Sequence, residues 1–134
     1  MTVLSEAISA PLRVLVVDDT AIYRRVISDV LKDMPGVEVI GTATDGRIAL
    51  DKIRQMRPDL VTLDLEMPGL NGVEVLRELH NWPQPPTVMM LSAPTPASAK
   101  ATTEALALGA FDFILKPQSD HPHYSMAQLK DKLE

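Results

Sequence analysis

The sequence predicts an α/β protein: a doubly wound, five-stranded parallel sheet with helices on both faces. Three observations predict it. Short apolar runs such as Leu60-Val61-Thr62-Leu63 are continuous rather than alternating, as in strands covered on both sides. Between successive runs lie stretches with helical spacing of apolar residues, the pattern of βαβ units. Turn formers separate the two kinds of segment, among them Pro35-Gly36, Asp45-Gly46, Pro68-Gly69 and Gly109.

Length and composition set the bounds. At 134 residues the chain has the size of one domain with a real core. It is 46% hydrophobic and 23% charged with a net charge of -5, and it has no basic stripe, so direct nucleic-acid binding is not expected. With no cysteine, both a disulfide framework and a thiolate metal site are excluded. Residues 1–10 have neither a positive charge nor a long apolar core, unlike a secretory signal. No run has the length needed to span a bilayer, so membrane insertion is not expected and a cytoplasmic location is. Residues 1–11 read as a flexible leader and 12–117 as the domain. Residues 118–134 read as a partial last helix or the start of a linker to an absent effector domain.

The first strand runs from Leu12 to Val17 and ends in Asp18-Asp19-Thr20, any of which suits a helix cap. Ile22, Val26, Ile27, Val30, Leu31 and Met34 then recur at helical spacing, with Arg24, Arg25, Asp29, Lys32 and Asp33 opposite. Pro35-Gly36 stops this helix. Val37 to Ala43 is the second strand, with Glu38 exposed. Asp45-Gly46 opens a second helix whose apolar stripe is Ile48, Ala49, Ile53 and Met56. Leu60 to Asp64, bounded by Pro58 and Pro68-Gly69, is the third strand. A loop from Glu66 to Gly72 leads to a short helix through Val73, Val75, Leu76 and Leu79. The rigid Pro83-Gln84-Pro85-Pro86 connection enters the fourth strand, Thr87 to Leu91. Ser92 to Pro96 is a loop, Ala97 to Leu108 an alanine-rich helix capped by Gly109, and Phe111 to Leu115 the fifth strand.

In open parallel sheets the ligand site lies beyond the carboxyl ends of the strands. Asp18, Asp19, Asp64, Ser92 and Lys116 each end or directly follow a strand and so meet at that edge. One such aspartate alone is most often a turn or cap residue; it is their coincidence that calls for a function. Three nearby carboxylates repel by about 1 kcal/mol or more per pair at 4 Å, and so require a cation. Oxygen ligands without cysteine favour Mg²⁺, or Mn²⁺ in its place, over zinc. Carboxylate, divalent cation, hydroxyl and lysine are together the parts needed for phosphoryl transfer onto an aspartate.

These residues resemble the receiver domain of two-component response regulators, over about residues 12–117. The resemblance implies a flavodoxin-like sheet of strand order 2-1-3-4-5. It implies Asp64 as phosphoacceptor and Asp18, Asp19, Asp64 and the Glu66 backbone carbonyl as Mg²⁺ ligands. Ser92 becomes the switch hydroxyl, Lys116 the phosphate-binding lysine and Phe113 the rotameric switch aromatic, with Asp64, Lys116 and Ser92 as the catalytic set. A histidine kinase is the implied phosphodonor.

Within that family, Gly41-Thr42-Ala43, Thr62-Leu63-Asp64-Leu65-Glu66-Met67-Pro68 and Leu108-Gly109-Ala110-Phe111-Asp112-Phe113-Ile114-Leu115-Lys116-Pro117 look like the N-terminal domain of chemotaxis protein-glutamate methylesterases. The effector would then be an esterase domain, linked covalently or separate. The alternative output is a stand-alone receiver, and weak pairing with a second copy is left open. A flavodoxin-like phosphatase would use the same edge, but no glycine-rich phosphate loop follows strand one, which continues Asp18-Asp19-Thr20-Ala21. His80, His121 and His123 read as surface residues, and the Glu66 side chain as either repelling incoming anions or facing solvent.

Overall fold

The computed structural model describes residues 10–92 and 95–116. The strands are β1 (Leu12–Val17), β2 (Val37–Ala43), β3 (Leu60–Asp64), β4 (Thr87–Ser92) and β5 (Asp112–Leu115); the helices are α1 (Ala21–Lys32), α2 (Gly46–Met56), α3 (Gly72–Leu79) and α4 (Pro96–Ala107). All strand pairs are parallel, in the order β2-β1-β3-β4-β5. The expected doubly wound sheet is therefore present.

Alternation along each strand divides the core in two. Val14, Val16, Leu60, Met89, Leu91 and Ile114 face Ile27, Leu31 and Met34 of the α1 side. Leu15, Val17, Val61, Leu63 and Met90 face the opposite way, onto Ala49, Ile53, Val75, Leu76, Leu79 and Ala105 of α2, α3 and α4. All five residues of β3 are buried. This central strand delivers Asp64 to the carboxyl edge with no freedom of register, because a slip of one residue would exchange its two buried faces. Among the described residues, no helix is long and apolar enough to cross a membrane.

Local chemistry sets the helix boundaries. Asp45 caps α2 by accepting from the Ile48 N–H (2.9 Å). Asn71 and Glu74 form a reciprocal capping box on α3, each contact 2.9 Å. Thr95 caps α4 through the Ser98 N–H, with Pro96 in the first turn. Gly109 follows α4 at φ +107°, the left-handed region that ends helices.

The helical stripes need correction at two positions. Ile22 is 71% exposed and Ile48 is 38% exposed, although the spacing assigns both to apolar faces. Each lies five residues before the buried isoleucine of its helix, Ile27 or Ile53, a rotation of about 140° at 3.6 residues per turn. Ser92 belongs to β4 rather than to the following loop. Phe111 precedes β5, is 63% exposed, and joins the sheet through its N–H to the Val88 carbonyl (2.8 Å). Pro117, His121, His123, the leader up to residue 9 and the expected final helix of 118–134 lie outside the described residues.

Candidate functional site

Asp18 follows β1, and its N–H continues the ladder to the Ala43 carbonyl (3.1 Å). The side chain is fully buried. Its Oδ1 accepts from the Thr20 N–H at 2.8 Å, and its backbone carbonyl accepts from Arg24 Nη1 at 2.8 Å. The turn into α1 is thus built around Asp18. Thr20 occupies the N-cap position but makes no side-chain capping bond; Asp18 takes its N–H instead.

Asp64 is the last residue of β3 and is 1% exposed. Its Oδ1 accepts from the Glu66 N–H at 3.1 Å and its Oδ2 from Lys116 Nζ at 2.9 Å. The Lys116 ammonium also stands 3.3 Å from Asp18 Oδ2 and 4.6 Å from the centre of the Tyr23 ring, a cation–π distance. The Lys116 N–H donates to the Ser92 carbonyl at 2.7 Å, so the end of β4 fixes where the lysine leaves β5. Asp64 pairs with Leu91 in the β3–β4 register, which puts the buried Ser92 one residue further along the same edge. Phe113 pairs with Met90 and packs, half-buried, against the core on the α2–α4 side.

Asp18, Asp19 and Asp64 each present an oxygen, and these atoms lie within 4.8 Å of one another. Asp19 is exposed and the other two are buried. Among the described residues, Lys116 is the ammonium that faces the two buried acids. Burial pushes the Asp64 carboxyl up to about 7, with the Asp18 charge adding to the rise and Lys116 and the Glu66 N–H opposing it. Burial raises Asp18 as well, against the Thr20 N–H and Lys116. Desolvation would pull the Lys116 ammonium down, but the bonds and charges of Asp64 and Asp18 outweigh it and raise it.

The donor set fits a small hard dication. All three side chains offer oxygen, the site holds more negative charge than Lys116 balances, and the buried Asp18 Oδ2 has the shared Lys116 ammonium at 3.3 Å as its counter-charge. One ammonium shared between two buried carboxylates, with a third acid beside them, leaves negative charge that a divalent cation with oxygen ligands would offset.

The structure brings Asp18, Asp19, Asp64, Ser92 and Lys116 together at one edge, as their places at strand ends predict. The Glu66 side chain does not join the acidic cluster; the residue is exposed and accepts a hydrogen bond from Ser98 Oγ of α4. His80 Nδ1 lies 3.2 Å from the Leu108 carbonyl and takes no part in the acidic cluster. Sequence reasoning missed Tyr23, Arg24 and Ser98. Tyr23 could have been flagged, since it is the one aromatic in the turn of helix that directly follows the acidic pair.

A parallel sheet of this order with three acids and a lysine at its carboxyl edge defines a class, and the chain belongs to the response regulator receiver domain family, whose model matches residues 14–127. More particularly, the chain is 54% identical over 123 residues to a protein-glutamate methylesterase/protein-glutamine glutaminase from Desulfotalea psychrophila, covering 92% of this chain and 34% of that protein. It is 53% identical over 110 residues to a protein from Koribacter versatilis named protein-glutamate methylesterase/protein-glutamine glutaminase 2, covering 82% of this chain and 30% of that protein. The chain therefore spans about a third of the length of these curated relatives. Among solved structures, the response regulator domain of Thermotoga maritima CheB superposes with a TM-score of 0.77 at 40% identity, over 92% of this chain and 90% of that one. A chain of the CheX–CheY–BeF3–Mg²⁺ complex from Borrelia burgdorferi superposes with a TM-score of 0.78 at 28% identity, over 92% and 87%.

Proposed function

We propose that this domain is a phospho-accepting switch in which Asp64 takes a phosphoryl group from a histidine kinase. The observation that carries the reading is the Lys116 ammonium held between Asp64 (2.9 Å) and Asp18 (3.3 Å) at the end of the central strand. Asp18, Asp19, Asp64 and the Glu66 carbonyl would hold Mg²⁺, which supplies positive charge to the oxygens of the transferring group.

The rest of the chemistry belongs to the chain. An ionised Asp64 oxygen attacks phosphorus, the P–N bond of the donor phosphohistidine breaks, and the electron pair stays on the departing imidazole. One P–O bond is made for the P–N bond lost. Lys116 then turns from the carboxylate to a phosphoryl oxygen, keeping a charge-assisted contact throughout. The Ser92 hydroxyl donates to a second phosphoryl oxygen. Because Lys116 N–H is tied to the Ser92 carbonyl, a shift of Ser92 is felt at β5, where Phe113 repacks and changes the α4–β5 surface.

The effector controlled by that surface is a methylesterase domain, a reading supported by the names of the relatives and by the 54% and 53% identities. In it the unphosphorylated domain covers the esterase, and phosphorylation relieves the block. A cytoplasmic location accompanies this reading.

Incubation with acetyl phosphate and Mg²⁺ tests it. Intact-mass measurement should show the gain of one phosphoryl group in the wild type and none in Asp64→Asn. Hydrolysis of a phosphoester at equal rates by the wild type and Asp64→Asn, without mass gain, would instead make the site a phosphatase.

A further inference from the structure

Glu66 stands two residues after Asp64, and its N–H is bonded to Asp64 Oδ1 (3.1 Å), so its backbone lies directly against the acidic site. The carboxylate is nevertheless absent from the cluster formed by Asp18, Asp19 and Asp64. It is held by the hydroxyl of Ser98. Ser98 is 1% exposed and sits in the first turn of α4, where its N–H donates to the capping Thr95 Oγ1 at 3.1 Å. Both groups of Ser98 are therefore committed, one to the helix cap and one to Glu66. Glu66 lines a groove with Leu65, Met67, Thr95, Ser98 and Ala101, on the α4 side of the loop. An exposed glutamate needs no partner; a buried serine that commits its hydroxyl to one is a positional restraint.

We propose that Ser98 is a positioning residue that parks the Glu66 carboxylate against α4 and keeps its negative charge off the approach to Asp64. This rests on the reading of Asp64 as the phosphoacceptor. The parked charge is the fourth acid in the vicinity. Swung over the mouth, it would repel an anionic phosphodonor and attract a divalent cation, two effects of opposite sign. A hydroxyl that only braced the loop would, when removed, weaken both processes together. Opposite signs thus separate the electrostatic role from a structural one.

The experiment compares wild type, Ser98→Ala, Glu66→Gln and the double variant by Mg²⁺ titration calorimetry and by phosphorylation kinetics at low salt. Serine to alanine removes one hydroxyl and leaves the helix intact, and Glu66→Gln keeps an acceptor for Ser98 while losing the charge. The donors are doubly charged acetyl phosphate and singly charged phosphoramidate. Ser98→Ala should bind Mg²⁺ about three- to fivefold more tightly and react about three- to fivefold more slowly with acetyl phosphate, with a smaller loss for phosphoramidate. Both changes should shrink in high salt and disappear in the Glu66→Gln background. Equal loss for both donors, weaker Mg²⁺ binding, or an effect that survives Glu66→Gln would overturn the assignment. A wild type that binds Mg²⁺ and is phosphorylated while Ser98→Ala matches it would overturn the role of Ser98 alone. A wild type that does neither would sink the phosphoacceptor reading and this inference with it.

Discussion

The buried Asp64 and Asp18 and the half-buried Lys116 form a trio whose charges do not balance once Asp19 is counted. Since burial raises Asp64 from the ordinary 3.8 to about 7, the folded protein holds a proton that the unfolded chain has already released. That contribution to stability is complete below about pH 3.8 and is lost as the pH rises to about 7. In metal-free buffer the urea midpoint should therefore fall between pH 5 and pH 8. Added Mg²⁺ should raise it more at pH 8, where it does not compete with a proton; a flat profile would contradict the shift. Lys116→Met removes the ammonium that faces both buried carboxylates and should lower stability by about 3 kcal/mol. The loss should be larger at pH 8 than at pH 5, where the acids escape the penalty by protonation. Equal losses at the two values would mean that Lys116 acts through packing alone.

At the scale of elements, the loop after β3 is pinned by close backbone approach. A Cβ on Gly72, the first residue of α3, would lie 2.4 Å from the Asp64 carbonyl oxygen and 2.8 Å from the Leu65 Cα. Neither is a flexible side chain that could yield. Gly72→Ala should cost about 1–3 kcal/mol in urea unfolding and slow phosphorylation of Asp64 by displacing Glu66. Destabilisation without slowed phosphorylation would place the strain elsewhere. The strands, their carboxyl edge and the acids on it were legible because continuous apolar runs ending in Asp18, Asp64 and Lys116 are local signals. Ile22 and Ile48 were misjudged because apolar identity is local while burial depends on rotation relative to a sheet that the sequence does not display. Ser98 was invisible for a related reason: it is 32 residues from Glu66 and only the packing of α4 on the β3–α3 loop joins them. Of the two sequence readings of the Glu66 side chain, the residue is exposed as the solvent-facing one has it, and its bond to Ser98 is the part that neither anticipates.

At the scale of the molecule, among the described residues, one sheet with α1 on one face and α2, α3 and α4 on the other gathers the acids and the lysine at a single edge and leaves Leu115 of β5 and the adjoining Phe111 exposed. The proposed acceptor stands on the most buried strand and the proposed readout on an edge strand, an arrangement that suits a switch. The central claim is that the phosphoryl group lands on Asp64 and not on either neighbouring acid. Borohydride reduction of the phosphorylated protein converts an aspartyl phosphate to homoserine, which peptide mass spectrometry locates. Homoserine at position 64 alone is the predicted result; homoserine at 18 or 19, or a phosphoryl group that resists borohydride, would contradict it.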